Sequence, residues 1–65
     1  MKEELLLRGW VDKGDVLVLF SHPRLGWKPD GTLIVGYHEW KEKITTIEKL
    51  EEILEWINQH PQTSW

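Results

Sequence analysis

The chain has no cysteine, and among its 65 residues only one phenylalanine, one tyrosine and one methionine. Without thiols there is no disulfide framework, no thiolate zinc site and no cysteine-held iron–sulfur cluster. That composition suits a reducing compartment, and the expected location is cytoplasmic. Long apolar runs are missing too. Nothing approaches the ~18 residues of a membrane span, and the apolar stretch after Glu4 is too short for a signal-peptide core. The expectation is a soluble, unprocessed chain.

Catalytic patterns are equally scarce. There is no Gly-x-Ser-x-Gly and no phosphate-cradling glycine loop. Ser21 and His22 are adjacent, but neighbours on a strand point to opposite faces and cannot pair as nucleophile and base. No enzyme activity and no cofactor are expected. His22, His38 and His60 invite a metal reading, and a hairpin could set His22 opposite His38. No third ligand falls at suitable spacing, so no metal site is expected.

What is present in excess is tryptophan: Trp10, Trp27, Trp40, Trp56 and Trp65. A domain at the small end of what folds alone cannot place five indoles in one core. Exposed indoles favour interfaces and stacking surfaces, so a binding role is expected over catalysis. The net charge of −3 weighs against non-specific nucleic-acid binding, although a negative total can hide a basic patch.

Glu4 to Val11 and Asp15 to Ser21 are runs of strand-forming residues around an Asp12-Lys13-Gly14-Asp15 turn. Pairing Val11 with Val16 gathers Leu5, Leu7, Val11, Val16, Val18 and Phe20 on one face. Leu6, Arg8, Trp10, Leu17 and Leu19 fall on the other. The first set is uniformly apolar and is expected to face the core. Pro23 ends the second strand or sets it at an edge. Pro29-Asp30-Gly31 is a turn between a short arm at 25–28 and a strand at 32–38, inside which Gly36 suggests a bulge or a close approach. Glu39 to Lys43 reads as a charged connection.

A helix is expected at about 46–59, with a capping box in which Thr45 is the N-cap and Glu48 reaches back. Pro61 stops it. Ile47, Leu50, Ile53, Leu54 and Ile57 form its apolar stripe; Trp56 lies outside that stripe. Glu48, Glu51, Glu52 and Glu55 form an acidic, solvated face. The tail at 60–65 frays unless Trp65 docks.

These readings add up to one α+β domain over 1–65. Its antiparallel sheet has three long strands plus a short arm, in β-β-β-α order, with the C-terminal amphipathic helix on one face. The alternative is an SH3-like or chromodomain-like barrel capped by that helix. One helix covers one side of the sheet, and the other side (Leu6, Arg8, Trp10, Leu17, Leu19) is too apolar to be left to water. The chain therefore reads as a non-enzymatic interaction or regulatory protein that forms a homo-oligomer, a dimer first, through that face, with a protein partner as a further occupant. A second reading is a nucleotide or single-stranded nucleic-acid module. It would use Arg24, Trp27 and Lys28, with Arg8 and Trp10, stacking bases on indoles while cations meet phosphate. A third is a small inhibitor of the kind phages and mobile elements encode.

Overall fold

Residues 2–7 are Lys, Glu and Leu, all good helix formers, with no β-branched residue before Val11. In the computed structural model, which describes residues 1–21 and 23–60, this segment is a helix and not the expected strand. It is α1 (Lys2–Leu7), followed by β1 (Val11–Asp12), β2 (Leu17–Leu19), β3 (Leu25–Trp27), β4 (Thr32–Val35), β5 (His38–Lys43) and α2 (Ile47–Gln59). The readings made for His22 and for the docking of Trp65 lie outside the described residues.

The protein is a small α+β domain whose five strands form one antiparallel sheet in the order β1-β2-β3-β4-β5. The strand count and the order of elements differ from expectation at both ends of the sheet. At the start, a helix takes the place of most of the first strand. At the end, Glu39–Lys43 is part of β5 and not a connection. Gly36 explains the second difference. It has φ +62 and sits with Tyr37 between the paired residues Val35 and His38, as the first residue of a type II′ hairpin turn does. The chain turns back at Gly36 instead of running on as one strand. The Pro29-Asp30-Gly31 turn forms as expected, with Gly31 at φ +102 and its N–H donating to the Lys28 carbonyl at 2.8 Å.

The first hairpin pairs Val11 with Val18 and Asp12 with Leu17. That register is two residues away from the one expected, a shift that keeps Val11, Val16 and Val18 on one face and Trp10, Leu17 and Leu19 on the other; Leu5, Leu6 and Leu7, on α1, leave that alternation. The side that faces the core is reversed. The buried core comprises Leu5, Trp10, Leu17, Leu25, Trp27, Leu33, Val35, Ile44, Leu50, Ile53 and Ile57. Leu17, Leu25, Trp27, Leu33 and Val35 thus line the covered side of the sheet, whereas Val16, Val18 and Ile34 are only partly buried. The reason lies in β3, Leu25-Gly26-Trp27. Two large side chains point one way and none points the other, so only the Leu–Trp side can fill a core.

Helix α2 begins one residue later than the capping box implied. Thr46, in extended geometry, is the N-cap, and its hydroxyl accepts from the Lys49 N–H at 3.3 Å. Lys49 therefore stands where a reciprocal Glu would, and Glu48 makes no box. The apolar stripe does face the sheet. Leu50, Ile53 and Ile57 are buried, with Ile47 and Leu54 packed against them. Trp27 ties the layers together, its Nε1 donating to the Ile44 carbonyl at 2.8 Å in the buried interior. No helix among the described residues is long and apolar enough to cross a membrane.

Candidate interaction surface

The sheet offers two edges and one uncovered face. Both edges resist strand addition. β1 has two residues, and β5 is rich in Lys and Glu, with an irregular register against β4 between Thr32 and Ile34. Short, charged or bulged edges are the usual protection against edge pairing. The uncovered face is different. Val11 stands opposite Val18, Val18 opposite Gly26, and Gly26 opposite Ile34, so these residues run in one row across four strands. Val16 and Phe20 flank the row just before and just after β2, and Phe20 is 62% exposed.

A shallow hollow of about 260 Å³ lies over Gly26, between Val16, Val18, Phe20, Arg24 and Ile34. Gly26 keeps it open. A Cβ there would come within 3.3 Å of Val16 Cγ2 and 3.8 Å of Ile34 Cβ. The Lys13 ammonium lies 5.8 Å from the centre of the Phe20 ring, a cation–π distance. The described lining holds one charged group, Arg24, and no carboxylate, hydroxyl or imidazole. Such a surface can exclude water and grip an apolar or anionic partner, but it holds no group poised to move a proton.

The residues expected to form the exposed face lie elsewhere. Trp10 is 4% exposed and Leu17 1%; both are core, and Leu19 packs against the core beside them. Leu6 is exposed on α1. Arg8 reaches α2, with Nη2 3.3 Å from Glu51 Oε1, while its Nη1 donates to the Glu4 carbonyl at 3.1 Å. Expectation had grouped Trp10, Leu17 and Leu19 correctly but assigned them to the open side; they lie on the covered side. Trp27 is likewise buried and is no loop platform for a base. Arg24 and Lys28 remain exposed. The residues missed as surface (Val11, Val16, Val18, Phe20, Ile34) could have been found from Gly26, which leaves that side of β3 without a side chain.

A second feature lies at the margin of α2. The Trp40 and Trp56 rings meet edge to face, 5.8 Å apart at 72°, and His60 stacks on Trp56 at 4.2 Å. His60 Nδ1 donates to the Trp56 carbonyl at 2.7 Å, which fixes the stack. The adjoining space of about 430 Å³ is lined by Glu39, Trp40, Lys41 and Trp56. Trp40 Nε1 is buried and has no acceptor among the described residues.

Electrostatic shifts fall in the turns. The Gly14 backbone N–H, followed by the Lys2 side chain, holds the Asp12 carboxyl below its ordinary value. Asp30 is lowered in the same way, first by the Thr32 backbone N–H and Thr32 side chain, then by Lys43 and Lys28. Among the described residues no group of three or more His, Asp or Glu side chains is placed to hold a metal ion. Compared with protein-family models, with curated proteins and with solved structures, the chain finds no match.

Proposed function

We propose that this chain is a small, non-enzymatic interaction protein that self-associates through the open face of its sheet. One observation carries the reading: Val11, Val16, Val18, Phe20 and Ile34 lie side by side on a face that neither helix covers. An apolar face of this kind, rimmed by charge, is where soluble proteins meet partners. The blunted edges leave the face as the better route. A domain of this size also gains most from burying that face, because its own core is small.

Molar mass measured by sedimentation across a concentration range tests the reading. The wild type should gain mass with concentration, and Phe20→Asp should remain a folded monomer. A Phe20→Asp protein with wild-type assembly would remove this face from consideration.

A second reading keeps the same face and changes the occupant to single-stranded nucleic acid. It is favoured by Arg24 at the hollow and by Lys13 over Phe20, an arrangement of cations around an aromatic ring that suits bases and phosphates. Salt separates the two. Phosphate-driven binding of a labelled oligonucleotide falls steeply as salt rises, whereas an apolar subunit contact persists.

A further inference from the structure

Resting on that self-association, we infer that its geometry is head-to-tail: the open sheet face of one copy receives the acidic flank of α2 from the next, with Trp56 seated over Gly26. Charge is the first argument. Lys13 reaches across the face to Phe20 and Arg24 lines the hollow. Lys28 follows Trp27, so strand alternation places it on the open side. The carboxylate in the row is Glu39, opposite Ile34. Of these four charged residues three are cations, so an acidic patch complements the face better than a second copy of the same face does.

The flank of α2 has the complementary chemistry. Glu48, Glu52 and Trp56 are spaced i, i+4, i+8 and so share one line along the helix, with Glu55 beside them; Lys49 stands at the margin, 3.8 Å from both Glu52 and Glu42, and leaves the flank net acidic. Trp56 is 41% exposed and is already held by Trp40 and His60, so little side-chain freedom is lost on docking. The spacings agree as well. Four helical residues separate Glu52 from Trp56 by ~6 Å of rise. Two strand residues separate Gly26 from Arg24 or Lys28 by ~6.6 Å. With α2 laid along β3, an indole above Gly26 brings Glu52 within reach of one of those cations.

A contact between two different patches does not close with two copies unless the rotation makes a ring, so assembly continues past the dimer. The test is sedimentation velocity on the wild type, Phe20→Asp, and the double variant Glu48→Lys with Glu52→Lys, each checked by circular dichroism. Arg24→Glu, an exchange at an exposed position, repeats the sheet-side arm without touching an apolar residue. The wild type should grow beyond dimer with concentration, and each variant alone should associate about tenfold more weakly or worse. An equimolar mixture of Phe20→Asp with the double variant should recover a 1:1 dimer and stop there, because one intact sheet face then meets one intact helix flank. A mixture that stays monomeric overturns the head-to-tail contact. So does a wild-type dimer that Phe20→Asp abolishes and the α2 double variant leaves intact, although self-association through the sheet then stands. A wild type that is monomeric at every concentration removes self-association itself and this geometry with it.

Discussion

The two faces of the sheet are built from the same three strands and almost the same kinds of residue, yet they do opposite things. On the covered side Leu17, Leu25, Trp27, Leu33 and Val35 interlock with Leu50, Ile53 and Ile57 of α2. On the open side Val16, Val18 and Ile34 surround a glycine, and Phe20 projects outward. Hydrophobicity does not separate the two faces; volume does. Large side chains on neighbouring strands reach across to a helix and leave no gap, while small branched ones around Gly26 make a surface that is apolar and hollow. One face is filled by this molecule's own helix, and the other stays open with a hollow over Gly26.

The largest expected effect tests that division directly. Leu17→Ala removes a fully buried side chain and leaves a cavity, at ~2–5 kcal/mol; Val18→Ala, one residue along and on the other face, should cost less than ~1.5 kcal/mol. Urea midpoints at matched m-values measure both. Equal losses would mean that the open face is as tightly packed as the covered one.

The next effect sharpens the covered side. Trp27→Phe keeps an aromatic ring but removes the rest of the buried indole and leaves the Ile44 carbonyl without its donor, the lost donor alone at ~1–3 kcal/mol. Thermal unfolding should show the loss, and it should exceed that of Trp56→Phe, whose side chain is partly in water.

Here the sequence was informative to different degrees. The helix at 47–59 and its stripe were legible because Ile and Leu recur at helical spacing over more than three turns. The Pro-Asp-Gly turn was legible because each residue has its own reason to be there. The grouping of Trp10 with Leu17 and Leu19, and of Val11 with Val18, followed from alternation alone. Which group faced inward did not. A single hairpin with two apolar faces is ambiguous about its inside, and the deciding residue, Gly26, lies on the neighbouring strand. The N-terminal Leu5-Leu6-Leu7 run was ambiguous in another way. It is too short to show a period, and only the absence of β-branched residues marks it as helix. At Gly36 the local signal was seen but read as a bulge or a close approach in place of a turn, and that hid β5.

The smallest expected effect lies in the turns, away from both faces. Asp12 and Asp30 have lowered carboxyl values in the folded chain. Their contribution is present above the unfolded value near 3.8 and is lost as the pH falls through the lower folded value. Asp30→Asn should therefore narrow the difference between urea midpoints at neutral and strongly acidic pH, with a slight effect because both carboxylates are exposed. A wild-type pH profile unchanged by that substitution would show that the charge on Asp30 makes no difference to folding.

Ile44 joins these regions. Its N–H donates to the Gly31 carbonyl at 2.7 Å, its own carbonyl accepts from Trp27, and its side chain is fully enclosed. The connection between sheet and helix is thereby riveted at a single residue to β3 and to the Pro29-Asp30-Gly31 turn. α2 can unravel from its Gln59 end, but its root cannot lift without disturbing the hairpin of β3 and β4. Opening the covered face is for this reason a cooperative act of the whole domain.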